Sequence, residues 1–260
     1  MADAGDLEKF ATLVAIMERL RGRDGCPWDR QQDHASLREN LLEESYEVLE
    51  ALDTGNAVHL CGELGDLLMQ IVFHAQIARE AGEFDIGDVI QAINTKLIRR
   101  HPHIFGKTKV SSAAEVAHNW EAIKDTERPE GTSVLQSVPQ ALPALAYSRE
   151  IQARVARLGF DWPDMSGVIE KVVEEVRELQ GATDQTCRSE EFGDLLFTLV
   201  SLARWLGIDP EIAMREANRK FFRRFAYMES LCKQRGLEFG SLTFAEQNVL
   251  WEEAKQHTPR

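Results

Sequence analysis

The chain has 260 residues, 43% of them hydrophobic, and a formal net charge of −13 at pH 7. That length fits one large or two modest domains, and either arrangement has enough apolar residues for a packed core. The excess of acidic residues argues against a protein that binds duplex nucleic acid, because such proteins gain their affinity from Lys and Arg on phosphates.

The cysteines and the N-terminus indicate a cytoplasmic protein. The four cysteines form no Cys-x-x-Cys pair and lie far apart, at Cys26, Cys61, Cys187 and Cys232. This spacing is typical of reduced thiols and gives no sign of a zinc site. Residues 1–9 are acidic and have no apolar signal core. No uncharged apolar run reaches the roughly 18 residues that a membrane span needs, so we expect no membrane partner.

The first half of the chain has helical periodicity interrupted by turn residues. Apolar residues spaced three and four apart predict the helices, while Gly and Pro clusters predict the loops. Asp85 is expected to cap one helix, and Ser112-x-x-Glu115 has the form of a capping box at the start of another. The elements expected here are helices over residues 7–20, 37–52, 58–81 and 85–100, loops over 22–29 and 101–106, and a helix around Trp120.

The second half repeats this order of elements. Asp209-Pro210 places a cap and a first-turn proline at the start of a long helix, and Thr243-x-x-Glu246 is a second capping box. The elements expected here are helices over residues 143–158, 168–181, 189–207 and 210–235, a loop over 159–164, and a helix around Trp251. No segment predicts a β-strand, so we expect an all-α protein.

Two helices of the second half carry acidic residues at a spacing that suits a metal site. Glu175 and Glu178 lie three residues apart on one helix, and Glu191 and Asp194 have the same spacing on the next. Residues so spaced share a helical face. Antiparallel packing of the two helices would therefore bring four carboxylates together, and such a cluster stays ionised only with a cation. An all-oxygen site of this kind suits Mg²⁺, with Mn²⁺ as a substitute.

The same acidic pattern occurs in the first half. Glu43-Glu44-Ser45-Tyr46-Glu47 matches Glu174-Glu175-Val176-Arg177-Glu178, and Glu63-Leu64-Gly65-Asp66 matches Glu191-Phe192-Gly193-Asp194. The second candidate set of metal ligands is therefore Glu44, Glu47, Glu63 and Asp66. A period this long indicates two tandem domains rather than a solenoid. We expect an N-terminal domain over residues 1–127, a linker over 128–136 and a C-terminal domain over 137–260, each a helical bundle with a carboxylate metal site between antiparallel helices.

Clusters of basic residues follow the acidic motifs in both halves. The candidate cations are Lys220, Arg223 and Arg224 and, at matching positions in the first half, Lys96, Arg99 and Arg100. On their own such clusters are usually solvated faces, but beside an acidic metal site they are candidates to bind a triphosphate. Trp120 and Trp251 also occupy matching positions, and each fits either a core position or a stacking surface for a base.

These motifs together resemble the MazG family of nucleoside triphosphate pyrophosphohydrolases. The likeness extends over nearly the whole chain and includes Cys26-Pro27-Trp28-Asp29, the run from Arg99 to Phe105, and Gly193-Asp194-Leu195-Leu196-Phe197. It implies an all-α fold, a homodimer, and Mg²⁺-dependent hydrolysis of NTP or dNTP to the monophosphate and pyrophosphate. It also implies that the two acidic sets ligate metal, that Lys220, Arg224 and Trp251 contact the nucleotide, and that the C-terminal copy carries most of the activity.

The resemblance leads to a specific reaction hypothesis, in which a metal-activated water attacks the α-phosphorus and metal-bound pyrophosphate leaves. Glu174 is the candidate for an additional base, or for a residue that orients one. Two alternatives stay open, a non-catalytic dimer that senses Mg²⁺-nucleotide and a purely structural helical protein. Turnover separates the sensor from the enzyme, and divalent-ion dependence of nucleotide binding separates the structural protein from both.

Overall fold

The computed structural model describes residues 7–127, 129 and 131–258, and within those ranges it contains helices and turns but no β-strand. The all-α prediction is therefore confirmed. No helix in these ranges is both long and apolar enough to cross a membrane. The chain divides into two compact units, Met1–Arg128 and Pro129–Arg260. The finer boundaries stay a prediction, and positions 128 and 130 of the predicted linker lie outside the described residues.

The first unit is built around a pair of long helices. Its helices are α1 (Phe10–Arg21), α2 (Pro27–Gln31), α3 (Arg38–Thr54), α4 (Ala57–Ala81), α5 (Ile86–Arg100), α6 (Pro102–Phe105) and α7 (Ala113–Thr126). Only Gly55 and Asn56 connect α3 to α4, and the two helices pack against each other, so they run antiparallel. Helices α1 and α5 also contact α4, which makes α4 the central helix of this unit.

The second unit repeats that arrangement. Its elements are α8 (Ala144–Arg157), α9 (Met165–Gly181), α10 (Gln185–Trp205), α11 (Pro210–Arg235), a 3₁₀ turn (Phe239–Ser241) and α12 (Phe244–His257). Helices α9 and α10 pack as the second antiparallel pair, and α8 and α11 contact α10. The apolar cluster between α11 and α12 consists of Met228, Leu231, Cys232, Leu250 and Ala254.

Side-chain caps fix where the helices begin. Asp85 accepts hydrogen bonds from the backbone N–H groups of Gly87 and Asp88, and Asp209 accepts from two N–H groups of α11, as the sequence predicts. The predicted capping box of Thr243 is also present. The box predicted at Ser112 is only half formed, because the Glu115 carboxylate accepts from Ser111 instead.

The sequence prediction was wrong at two loops and short at two helix starts. Each loop contains a short helix, α2 or α6, whose first residue is a proline that holds φ near its helical value. Helix α9 begins three residues before position 168 because Asp164 caps it, and α10 begins four residues before position 189 because Asp184 caps it.

Part of the predicted linker packs against the second unit. Arg154 of α8 is 7% exposed, and its guanidinium donates to the Val134 carbonyl at 3.0 Å and to the Ser137 hydroxyl. Val138 is also buried. Because a buried guanidinium needs several acceptors, Arg154 holds this segment onto α8.

Two valines of the second unit, one buried and one exposed, give a matched test of the packing of its helices. Val200 of α10 is 1% exposed and Val249 of α12 is 65% exposed. We expect Val200→Ala to lower the free energy of unfolding by about 2 kcal/mol through the lost burial and the cavity left behind. Val249→Ala should change it by less than about 0.5 kcal/mol. Urea denaturation followed by circular dichroism measures both, and equal effects would contradict the burial of Val200.

Candidate functional site

Three of the four predicted carboxylates of the second unit meet between α9 and α10. One oxygen each from Glu175, Glu178 and Glu191 lies within 4.8 Å of the other two. Glu175 is 4% exposed, whereas Glu178 is exposed at the edge of the cluster. The three-residue spacing on α9 and the antiparallel pairing with α10 produce this cluster, as the sequence predicts.

Asp194, the fourth predicted ligand, lies outside this three-carboxylate cluster. It is an exposed residue one turn further along α10 from Glu191, and its charge contributes to the raised pKa of Glu191. Asp194 instead lines a cavity beside the cluster, together with Glu175. The structure therefore places Asp194 at the same site without bringing its oxygens to the other three.

The pKa of Glu191 is raised above its ordinary value, first by burial and then by the negative charges of Glu178, Glu175 and Asp194. Such a shift means that the ionised form of Glu191 is disfavoured among its neighbours. A hard divalent cation with oxygen ligands would relieve this repulsion, so the donor set fits Mg²⁺ or a similar ion.

Lys171 is a site residue that the sequence reasoning missed. Its ammonium lies 2.6 Å from Glu174, 2.9 Å from Glu175 and 4.0 Å from Glu178, measured from Nζ to the carboxylate oxygens. Hydrogen bonds to Glu174 and Glu175 raise the pKa of Lys171, so it remains charged. The signal in the sequence was a lysine one helical turn before the acidic motif, at positions i−3 and i−4 from the two glutamates.

The first unit also has a cluster of three carboxylates, but one of its members differs in position from those of the second unit. Oxygens of Glu44, Glu63 and Asp66 lie within 4.8 Å of one another, while Glu47 lies outside this group. The pKa of Glu44 is raised by burial and then by the charges of Asp66 and Glu47. The position that matches Lys171 is Asn40, so this cluster lacks the ammonium of the second unit.

A cavity of about 730 Å³ adjoins the cluster of the second unit. Lys171, Glu175 and Asp194 contribute to its lining, and the loop between α8 and α9 contributes Phe160 and Trp162. Most of the remaining lining comes from α8 and α10. The site is therefore a charged cluster that opens into a largely apolar pocket, which is the usual composition of a small-molecule site.

The loop between α8 and α9 forms one wall of the cavity and is held by an ion pair. Asp161 accepts from Nη1 of Arg204 at 2.9 Å and also from Nη2, and these bonds keep the pKa of Asp161 low. Trp162 packs on the first turn of α9, where a Cβ at Gly167 would lie 3.0 Å from its ring. The wall is thus fixed from two helices.

The predicted basic residues of the second unit lie on α11. Arg224 stacks over Trp251, with its guanidinium carbon 5.6 Å from the ring centroid, while Lys220 and Arg223 are exposed. Trp251 is half-buried against the α11–α12 core and Phe221. None of these predicted nucleotide contacts is among the described residues that line the cavity. Their role stays a prediction.

The matching arginine and tryptophan of the first unit also stack, but there the arginine pairs with a carboxylate. Arg100 stacks over Trp120 at 5.3 Å and also donates to Glu127, a pairing that raises the pKa of Arg100. Arg99 also pairs with Glu127, and Lys96 is exposed. Across the described ranges no carboxylate pairs with Arg224, and its buried Nε has no partner. Of the two stacked arginines, Arg224 is the one that has no carboxylate partner among the described residues.

Comparisons with known proteins give matches over both units. A family model described as the MazG nucleotide pyrophosphohydrolase domain matches residues 32–105. The chain is 48% identical over 256 residues to the nucleoside triphosphate pyrophosphohydrolase/pyrophosphatase MazG of Thermotoga maritima, covering 98% of each. It is 44% identical over 258 residues to the nucleoside triphosphate pyrophosphohydrolase of Escherichia coli K12, covering 96% of this chain and 98% of that one. A crystal structure of a mazG-related protein from Thermotoga maritima is 31% identical, covers 44% of this chain and 98% of that chain, and has a TM-score of 0.39.

The crowded carboxylates predict a stability effect at Glu191. Because its pKa is raised in the folded state, the ionised side chain lowers stability above that pKa, so removing its charge should stabilise the protein at pH 7. We expect Glu191→Gln to raise Tm in EDTA and to reduce the rise in Tm that Mg²⁺ causes. Differential scanning calorimetry with and without Mg²⁺ measures both. Glu229→Gln, at an exposed position of α11, is the control, and an unchanged Mg²⁺ effect in Glu191→Gln would contradict ligation by this residue.

Proposed function

This chain belongs to the MazG family of nucleotide pyrophosphohydrolases, and from that premise we propose which reaction it performs and which residues perform it. The enzyme is a nucleoside triphosphate pyrophosphohydrolase, a hydrolase that acts on a phosphoric anhydride. It cleaves NTP or dNTP to the monophosphate and pyrophosphate. The observation that carries the residue assignment is the cluster of Glu175, Glu178 and Glu191, which adjoins a pocket that Glu175 and Lys171 line.

The carboxylate cluster of the second unit is proposed to bind Mg²⁺. Glu175, Glu178 and Glu191 would supply three oxygens, and Asp194, which lines the adjoining cavity, is proposed as the fourth ligand. A bound divalent cation would neutralise phosphate oxygens and lower the pKa of a bound water so that it can attack the α-phosphorus. Glu174, which pairs with Lys171 in this structure, is proposed to orient that lysine or to act as an additional base.

The positive residues of the second unit are proposed to hold the phosphate chain. Lys171 is already within hydrogen-bonding distance of the cluster and lines the cavity, so its ammonium can transfer from a carboxylate to a phosphate oxygen. Lys220, Arg223 and Arg224 would stabilise the remaining charge, and Trp251 supports Arg224 through its ring. These contacts position the substrate rather than react with it.

Two differences favour the second unit as the main catalytic copy. Lys171 has Asn40 as its counterpart, so the first cluster has no matching ammonium. Arg100 is paired with Glu127, whereas the position that matches Glu127 in the second unit is Thr258, whose hydroxyl donates to Ala254 instead. Phosphate binding in the first unit would therefore have to break an ion pair, and that requirement weakens it.

We propose a homodimer because α4 and α10, which carry acidic motifs, also expose apolar surface. Phe192, Leu196 and Leu199 are spaced as one face of α10 and are 52%, 38% and 41% exposed. The matching positions of α4, Leu64, Leu68 and Ile71, are exposed as well. Both units of the chain expose the same apolar face. A second molecule of the same chain, which carries matching faces, is therefore the partner that fits.

Product analysis tests the proposed reaction. We expect purified protein with Mg²⁺ to convert at least one NTP or dNTP to the monophosphate and pyrophosphate, and EDTA to stop the reaction. The double substitution Glu191→Gln with Asp194→Asn should lower turnover at least about 1,000-fold while helicity remains, because a catalytic metal supplies several kcal/mol. Ion-exchange chromatography of the products and circular dichroism of the variants are the measurements.

The matched control is Glu63→Gln with Asp66→Asn, which makes the same change in the first unit and should lower turnover less than tenfold. The reverse result would move the main activity to the first unit. Nucleoside diphosphate and phosphate as products would contradict attack at the α-phosphorus. Binding without turnover would favour the sensor that the sequence also allows.

Light scattering coupled to size exclusion tests the dimer. We expect the wild type to elute as a dimer at micromolar concentration, and Leu199→Glu to weaken the dimer at least about 100-fold because it places an unpaired charge in an apolar interface. Phe244→Glu, at an 82% exposed position of α12, is the control and should remain dimeric. A monomeric wild type would overturn the proposal.

A further inference from the structure

The buried glutamate of the second carboxylate cluster is already paired with a cation of the chain itself. The Lys171 ammonium lies 2.9 Å from Glu175 and 4.0 Å from Glu178, measured from Nζ to a carboxylate oxygen of each. These are two of the three residues whose oxygens meet between α9 and α10. A divalent ion at this cluster would be repelled by the ammonium, so it would have to displace Lys171 or bind beside it.

The carboxylate cluster of the first unit has no such cation. Asn40 occupies the position that matches Lys171, and in the part of the chain that the structure describes no Lys or Arg pairs with any of the three carboxylates. Gln70 of α4, a neutral side chain that is 3% exposed, is the hydrogen-bonding partner of Glu44 instead. An amide supports a carboxylate without cancelling its charge, so this cluster keeps its full attraction for a cation.

Two other charges that differ between the clusters have smaller effects. His59 Nε2 lies 3.0 Å from Glu63 in the first unit, but a histidine gives up its proton near neutral pH and a lysine does not. Glu190 adds a negative charge to the second unit, yet of the acidic neighbours it raises the pKa of Glu191 least. The ammonium of Lys171 is therefore the main charge that distinguishes the two clusters.

We propose that the first unit holds the tighter divalent-cation site of this chain, and that Lys171 makes the site of the second unit the weaker one by occupying its carboxylates. The proposal rests on the proposed function, because it takes the carboxylate clusters to be cation sites. The cation of the first unit then stays bound, while that of the second unit exchanges. A phosphate chain that draws the Lys171 ammonium away frees the carboxylates, so the second unit takes up its metal together with the substrate.

Binding of Mn²⁺ alone to the metal-free protein tests this order. Electron paramagnetic resonance of the free ion measures how much Mn²⁺ is bound, and it needs no turnover. At about pH 8, where an imidazole is mostly neutral, we expect two sites per chain. Their dissociation constants should differ at least about tenfold, since one unit charge lies within a few ångströms of the weaker site.

Carboxylate variants assign each site to its unit. We expect Glu63→Gln with Asp66→Asn to remove the tighter site and Glu191→Gln with Asp194→Asn to remove the weaker one. A single detectable site that is lost in the first-unit variant also supports the order. Equal affinities in the wild type would overturn the proposal, as would a tighter site that is lost in the second-unit variant.

Exchanging the residues at the two matching positions moves the competing charge. Lys171→Asn should strengthen the weaker site at least about fivefold, and Asn40→Lys should weaken the tighter site by a similar factor. Lys233→Asn is the control, because it removes the same charge at an exposed position in the last turn of α11 and should change neither constant more than about twofold. Unchanged binding by Lys171→Asn would contradict the proposal. If that variant does not fold, Asn40→Lys tests the same charge from the first unit.

The reaction and the order of affinities fail separately. A protein that cleaves no triphosphate but binds Mn²⁺ in this order disproves the proposed reaction alone. A protein that cleaves triphosphates but has two equal sites disproves the order alone. A protein that binds no Mn²⁺ at either cluster overturns the metal sites and the order together.

Discussion

The repulsion among carboxylates between two antiparallel helices is the constraint on which the rest of this structure depends. Helices α9 and α10 pack so closely that one oxygen each of Glu175, Glu178 and Glu191 lies within 4.8 Å of the other two. Burial and the neighbouring negative charges raise the pKa of Glu191. A fold tolerates such a cluster only where a cation balances it. Lys171 supplies part of that balance within the chain, and a divalent ion would supply more.

The duplication repeats the cluster but not its surroundings. Both units place three carboxylates on an antiparallel helix pair, yet only the second has a lysine among them. The Arg–Trp stack also recurs in both units, but Arg100 pairs with Glu127, whereas no carboxylate among the described residues pairs with Arg224. Matching acidic motifs therefore do not make identical sites, because the carboxylates that meet differ and phosphate binding needs positive charge as well as metal ligands.

The pocket beside the carboxylate cluster of the second unit is lined by charged residues at one end and by aromatic residues elsewhere. Lys171, Glu175 and Asp194 line its charged end, while Phe160, Trp162 and Phe197 supply aromatic walls. The Asp161–Arg204 pair and the packing of Trp162 on Gly167 hold the loop in place without any ligand. A wall that is already fixed loses little conformational entropy when a ligand binds.

Local patterns in the sequence determined the all-α class, most helix positions and the two acidic sets. Helical periodicity, the caps at Asp85 and Asp209 and the spacing of Glu175 and Glu178 depend on residues within one or two turns of each other, so the sequence is sufficient to predict them. The two short helices at prolines were missed because a loop composition also permits one helical turn.

Only the tertiary structure decided which of those residues meet. It separated Asp194 from the other three carboxylates, brought Lys171 to them, and buried the Gln152 side chain between α8 and α10. The burial of Gln152 could not be predicted from the sequence, because the pattern of an amphipathic helix does not show whether a glutamine faces water or packs inside. The difference arises from packing between α8 and α10, and contacts between helices are set by the whole fold rather than by neighbouring residues.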